Sequence, residues 1–237
     1  MQNGEGTDAG AASVPSAVVR DDFDAIARAL AHARPDDRLR PFERALLTHL
    51  PASCGRVLEV GCGHGALTRH VAARADSVLA LDLSPEMIHL ARSLSAGQPN
   101  VEYRVTDVME DALPDAAFDV VLSAATLHHL PLEPAVRKLA AAVKPGGWLV
   151  IQDLVTRPGV RGLPLNVLAL AAQWAGRLAG SRPQLAAVAR LYERHGAGER
   201  YLRPREAKAV YAELLPGARV THHLEWRYTT AWRRPGS

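Results

Sequence analysis

The chain has 237 residues, of which 48% are hydrophobic and 22% are charged, and its formal net charge is +3. This length suits one α/β domain with a full core, and no apolar stretch is long enough to predict a membrane-spanning helix. The two cysteines, Cys54 and Cys62, are too few for a zinc site of their own and predict a reduced, cytoplasmic setting.

The N-terminal stretch, residues 1–20, is small, polar and partly acidic, which predicts a disordered arm. It lacks a basic segment leading into an apolar core, so it does not resemble a signal peptide. Apolar residues at helical spacing predict a helix over 21–34, and a second short helix over 41–50 begins with proline. Residues 21–237 are expected to form a single domain.

Strand-like apolar runs then alternate with helical segments. The runs lie at 57–60, 78–81, 101–105, 118–122 and 148–151. Such alternation predicts a parallel sheet with helices on both faces. Residues 160–200 fall outside this pattern and predict a helical lid insertion, and two runs after residue 218 predict an antiparallel pair at the sheet edge.

A glycine-rich turn follows the first strand. Gly61, Gly63 and Gly65 alternate with other residues, and Asp82 closes the second strand 17 residues later. Alternating glycines let the backbone approach a ligand closely, and the helix after them points free N–H groups at an anionic group. An acid at the end of the next strand is placed to bind the two hydroxyls of a ribose. The segment therefore predicts a nucleoside-binding unit.

The glycine spacing is G-x-G-x-G, whereas the dinucleotide fingerprint is G-x-G-x-x-G. With Glu59 two residues before the first glycine, the motif resembles the E/D-x-G-x-G-x-G of class I S-adenosylmethionine-dependent methyltransferases. Further matches follow in the family's order across 56–153: Asp82-Leu-Ser-Pro-Glu-Met-Ile, Thr106-Asp-Val, Phe118-Asp-Val-Val-Leu-Ser and Val143-Lys-Pro-Gly-Gly-Trp-Leu-Val-Ile. The resemblance implies a Rossmann-like, doubly wound α/β sheet, mostly parallel with an antiparallel C-terminal edge.

The resemblance also implies the cofactor, S-adenosyl-L-methionine, and the residues that bind it. Glu59 would hold the loop and the methionine ammonium, and Asp82 would bind the ribose. The full set is Glu59, Gly61, Cys62, Gly63, Gly65, Asp82, Leu83, Asp107, Val108, Ser123 and Ala124. Two alternatives stay open: Glu59 could brace the loop without touching a ligand, and Asp107 could be a plain helix cap.

A histidine pair, His128 and His129, follows the fourth strand, and ligands of open α/β sheets bind beyond the carboxyl ends of strands. One of the two could take a proton from a hydroxyl as the methyl group arrives, which makes them the predicted catalytic residues. The alternative is a packing role. No metal site is predicted, because neighbouring residues on a strand face opposite ways and no carboxylate has suitable spacing.

The predicted acceptor residues are Trp174, Tyr192 and His195 in the lid, with a core role as the alternative. Enzymes that methylate amino groups of nucleic acids resemble one another in an Asn/Asp-Pro-Pro-aromatic motif after the fourth strand, and this chain has Ser123-Ala-Ala-Thr there instead. It also has no Pro-Cys nucleophile, which counts against methylation of cytosine at carbon 5. A small-molecule acceptor remains. We expect O-methylation in bacterial specialised metabolism, with C- or N-methylation open. A nicotinamide oxidoreductase would need the later glycine, and a non-catalytic scaffold homologue would lack the acceptor site.

Charge is unevenly distributed along the chain. Residues 1–153 hold 14 basic and 20 acidic side chains, whereas residues 154–237 hold 14 and 5. The basic segment, residues 154–237, either forms a solvated surface or attracts an anionic or carrier-bound acceptor. Its arginines are scattered rather than clustered, so a nucleic-acid partner is not predicted. The oligomeric state is not determined by the sequence.

Overall fold

The computed structural model describes residues 14–33, 35, 37–156, 183–197, 199, 201–223 and 226–236. Its helices are α1 (Ser16–Ala33), α2 (Pro41–Leu47), α3 (Ala66–Ala72), α4 (Pro85–Leu94), a 3₁₀ helix (Leu127–His129), α5 (Leu132–Ala142), α6 (Pro183–Gly196) and α7 (Pro204–Leu214). Its strands are β1 (Arg56–Val60), β2 (Ser77–Asp82), β3 (Val101–Val105), β4 (Phe118–Ala124), β5 (Val143–Leu154), β6 (Arg219–His223) and β7 (Arg227–Arg233). Within these described ranges, no helix has the length and apolar character that crossing a bilayer demands.

The seven strands form one sheet in the order β3-β2-β1-β4-β5-β7-β6. Strands β1 to β5 run parallel, and β7 joins β5 and β6 in antiparallel pairing. The predicted fold class is therefore confirmed. The strand order reverses between β1 and β4, and ligands of such sheets bind in the crevice beyond the carboxyl ends at that point.

Helices cover both faces of the sheet. Neighbouring residues of a strand point to opposite faces and therefore belong to different cores. Val57 belongs to a core with α3 and α4, whereas Leu58 belongs to a core with α5 and α7. Val120 and Val121 divide between the two cores in the same way. Sheet and helices thus hold the carboxyl ends of β1, β2 and β4 in fixed positions.

Helix α1 begins at Ser16, so the predicted arm of residues 1–20 is too long at its C-terminal end. The reason is tertiary: Val19 is buried, and Ile26 and Leu30 pack with Met87 of α4 and Val188 of α6. Of the predicted lid, 160–200, residues 183–197 and 199 are described, and the others lie outside the described residues. That residues 21–237 form one domain stays a prediction.

Candidate active site

The glycine loop between β1 and α3 has a backbone that favours glycine at three positions. Gly61, Gly63 and Gly65 have φ angles of 76°, 53° and 79°. A Cβ at Gly61 would lie 1.9 Å from Oγ1 of Thr126, and one at Gly65 would lie 2.5 Å from the hydroxyl of Tyr103. A Cβ at Gly63 would meet no described atom within 4 Å. Gly63 is therefore where a ligand can approach the loop.

Asp82 ties the loop to the end of β2. Its Oδ2 accepts a hydrogen bond from the Gly63 amide at 2.7 Å, and its Oδ1 accepts one from the Ser84 amide at 2.9 Å. Burial raises the pKa of Asp82 to about 6, with a further rise from Asp24, against the lowering effect of the backbone amides. A carboxylate can accept about four hydrogen bonds. Its remaining capacity fits the two hydroxyls of a ribose.

We expect protonation of Asp82 to lower the affinity for S-adenosylhomocysteine about tenfold between pH 7.5 and pH 5, measured as the difference between the wild type and Asp82→Asn. The ionised carboxylate accepts both ribose hydroxyls, and one pH unit below its pKa only about a tenth of Asp82 is ionised. Calorimetric titration across this pH range measures the effect. Asp82→Asn is the control, since position 82 then cannot ionise; it should bind weakly, and its remaining pH dependence reports other groups such as Glu59. An equally steep pH profile in Asp82→Asn would assign the titration to another group.

Glu59 lies in β1 beneath the loop and is 2% exposed. Burial raises its pKa to about 8. Its Oε2 has no hydrogen-bond partner among the described residues, and such buried polar atoms call for a partner or a ligand. The ammonium of a bound methionine moiety would supply one, so Glu59 fits the predicted cofactor. Its contact with the cofactor stays a prediction.

Other predicted cofactor residues are engaged with the backbone. Oδ1 of Asp107 accepts a hydrogen bond from the Met109 amide at 3.0 Å, which closes a turn after β3; no helix begins at this position, so Asp107 is not a helix cap. The hydroxyl of Ser123 donates to the Val60 carbonyl at 2.9 Å and is fully buried between β4 and β1. The remaining members lie around the same strand ends: Cys62 and Val108 are buried, and Leu83 and Ala124 are half-buried.

The histidine pair lies on the 3₁₀ helix after β4. Nδ1 of His128 is 2.6 Å from Oδ1 of Asp153 in β5, and its Nε2 is 3.3 Å from Oε2 of Glu199. Nδ1 of His129 is 2.8 Å from Oε1 of Glu199. Burial lowers the pKa of His128, but the carboxylates of Asp153 and Glu199 outweigh it and raise the pKa to about 9. Neither ring nitrogen of His128 is thus left to accept a proton in this arrangement.

His195 of α6 joins this group. Its Nδ1 is 2.9 Å from Oδ2 of Asp22 in α1, and its Nε2 is 3.0 Å from Oε1 of Glu199. The ring of Phe23 lies 4.8 Å from the His195 ring and 6.5 Å from that of Tyr192. Of the predicted acceptor residues, His195 therefore lies beside the histidine pair, Tyr192 packs near Phe23, and Trp174 lies outside the described residues.

Sequence reasoning missed the carboxylates that organise these histidines: Asp22, Asp153 and Glu199. Two signals were available. Asp153 ends an apolar strand run, and Glu199 follows His195 by four residues, the spacing of side chains on one helix face. On a strand, as the prediction of no metal site required, His128 and His129 would point to opposite faces. On the 3₁₀ helix the two rings lie side by side, with centroids 3.9 Å apart.

Comparisons with known proteins identify the family. Residues 58–151 match the model of a methyltransferase domain. An uncharacterized methyltransferase of Mycobacterium tuberculosis strain H37Rv is 31% identical over 198 residues, which cover 82% of this chain and 94% of that protein.

Two further similarities cover different shares of the chain. A ubiquinone biosynthesis O-methyltransferase of Xanthomonas euvesicatoria pv. vesicatoria strain 85-10 is 38% identical over 120 residues, 49% of this chain and 50% of that protein. The solved DhpI–SAH complex has a TM-score of 0.58 at 23% identity, over 91% of this chain and 96% of that one, and shows a shared fold. The chain belongs to the class I S-adenosylmethionine-dependent methyltransferases, and S-adenosylmethionine is its cofactor.

Proposed function

We propose that the protein methylates a hydroxyl group of a small molecule in bacterial specialised metabolism. The observation that carries this proposal is the buried polar cluster that contains His128 and His129 at the carboxyl end of β4. The glycine loop and Asp82 lie at the same edge of the sheet, where the carboxyl ends of β1 and β2 are. The ubiquinone-pathway relative, which the chain matches over about half its length, is named an O-methyltransferase and supports oxygen as the acceptor atom.

The cofactor half of the proposal assigns three roles. Asp82 accepts the ribose hydroxyls, Glu59 pairs with the methionine ammonium, and Gly63 gives the cofactor room beside the backbone. When bound, S-adenosylmethionine supplies a methyl group on a positively charged sulfur, which departs as a neutral thioether. The enzyme contributes mainly by holding the acceptor oxygen in line with that carbon.

The acceptor half rests on what surrounds the cluster. A hydroxyl must lose its proton to become a good nucleophile, and we propose that His129 activates it there, with His128 held beside it by Asp153 and Glu199. Tyr192 and Phe23 add an aromatic wall, which suits a flat and partly apolar acceptor. Tyr192 and His195 remain our proposed acceptor contacts. The positive charge of residues 154–237 supports an acceptor that is anionic or carrier-bound.

An acceptor panel tests the proposal. Matched aromatic compounds with a hydroxyl, an amine or an activated carbon at the same position are incubated with labelled S-adenosylmethionine. We expect a methyl ether from the hydroxyl compound and little product from the others. Product only from the amine or carbon compound would replace O-methylation by N- or C-methylation. Tight S-adenosylhomocysteine binding without turnover of any compound would favour a non-catalytic scaffold.

A further inference from the structure

Three side chains from distant parts of the sequence bring ligating atoms within 4.8 Å of one another: His128, His129 and Glu199. Their side chains are 8%, 7% and 6% exposed. The nearest atom pairs are Nε2 of His128 with Oε2 of Glu199 at 3.3 Å and Nδ1 of His129 with Oε1 of Glu199 at 2.8 Å. Ligands of a tetrahedral zinc ion, each about 2.0–2.2 Å from the metal, lie about 3.3–3.5 Å apart. The His128–Glu199 pair is already at that separation, and the His129–Glu199 pair would have to move apart by about half an ångström.

Partners on the far side of the ligands hold two of them in place. Nδ1 of His128, the nitrogen that faces away from Glu199, is 2.6 Å from the Asp153 carboxylate. Oε2 of Glu199 accepts a hydrogen bond from the Tyr201 hydroxyl at 2.5 Å. Histidines that bind metals nearly always donate their other N–H to a carboxylate, carbonyl or water, and ligating carboxylates are hydrogen-bonded in turn.

The third ligand has a comparable arrangement. Nε2 of His129, the nitrogen not directed at Glu199, is 3.5 Å from Nε2 of His195. Asp22 holds the opposite nitrogen of His195 at 2.9 Å. A chain of contacts thus runs from α1 through α6 to the pair after β4.

The Glu199 carboxylate has more nitrogen neighbours than hydrogen bonds. Its Oε1 is buried, with a ring nitrogen of His129 at 2.8 Å and one of His195 at 3.0 Å. This oxygen has no aligned hydrogen bond among the described residues, although both imidazoles are close enough to pair with it. Two imidazole nitrogens thus converge on one carboxylate oxygen, an arrangement that also suits a bound cation. Glu199 and Tyr201 also border a cavity of about 330 Å³.

We propose that His128, His129 and Glu199 bind a divalent transition-metal ion of the zinc class, with one coordination position left for the acceptor's oxygen. Two imidazoles and one carboxylate are a donor set for zinc or iron(II), whereas magnesium and calcium prefer oxygen ligands. Bound oxygen loses its proton more readily, and here the hydroxyl proton passes to water before the oxygen–carbon bond forms and the carbon–sulfur bond breaks. The histidines then act as ligands rather than as the predicted base. This role of the ion rests on the proposed function, whereas its binding does not.

The test is a titration of the full-length, chelator-treated protein with Co²⁺, followed by visible spectroscopy. We expect one equivalent to bind with the d–d bands of a low-symmetry site and to be displaced by Zn²⁺. Glu199→Gln should remove this signal. Asp153→Asn should weaken binding by about 10–100-fold, since it disturbs only the partner of a ligand. His89→Gln is the matched control, because His89 is exposed on α4 and should leave binding unchanged.

Circular dichroism and S-adenosylhomocysteine binding confirm that each variant is folded. Absence of a one-to-one Co²⁺ complex in the wild type, or equal affinity in Glu199→Gln, would overturn the metal site. Methyl ether formation that continues in a chelator would sink the ion's role and leave the proposed function intact. Metal binding without turnover of any hydroxylated acceptor would leave the metal site intact and overturn the proposed function.

Discussion

Replacing His129 by alanine is expected to lower the turnover of a hydroxylated acceptor by about a hundred- to ten-thousandfold, the contribution of a group that activates an attacking oxygen. The His129 side chain is 7% exposed and contacts Glu199 rather than the glycine loop. The affinity for S-adenosylhomocysteine should therefore be unchanged. Single-turnover assays with labelled S-adenosylmethionine, paired with calorimetry of S-adenosylhomocysteine, measure the two quantities separately.

His89→Ala is the control for this substitution, because it also removes an imidazole but from the exposed side of α4. It should change neither turnover nor binding. If His129→Ala instead weakened S-adenosylhomocysteine binding as much as it slowed turnover, His129 would support the cofactor site and the acceptor assignment would be wrong.

Gly61→Ala is expected to lower the free energy of unfolding by about 2–5 kcal/mol and to abolish measurable S-adenosylhomocysteine binding. A left-handed backbone costs a residue with a Cβ about 1–2 kcal/mol, and overpacking a tight site costs about 1–3 kcal/mol more. The φ angle is 76°, and the new methyl group would lie 1.9 Å from Oγ1 of Thr126. Urea unfolding followed by circular dichroism measures the first effect, and calorimetry measures the second.

Two further variants separate the causes. Gly97→Ala adds a methyl group where nothing described lies within 4 Å, and its φ is not in the left-handed region, so stability should hardly change. Adding Thr126→Ala to Gly61→Ala removes Oγ1 and Cγ2, the two nearest clashing atoms, and should restore part of the loss. If Gly61→Ala had the same urea midpoint of unfolding as the wild type, the loop would be less constrained than the structure indicates.

The sequence alone determined the features that depend on short-range pattern. Apolar runs identified the strands, because a parallel strand that is covered on both faces buries most of its side chains. The three glycines and Asp82 were recognisable because a left-handed turn and a strand-end acid each need particular residue types at a fixed spacing. Their position at one sheet edge followed from parallel pairing, which brings the carboxyl ends of β1, β2 and β4 together.

Only the tertiary structure decided the composition of the histidine cluster. Glu199 lies 71 residues beyond His128, and Asp22 comes from a helix that precedes the sheet, so no local spacing links them. They meet because α1 and α6 pack together and β5 runs beside β4. The 3₁₀ helix turns His128 and His129 toward one carboxylate, whereas a strand would have separated them. Long-range packing, not residue pattern, therefore assembled the candidate metal site.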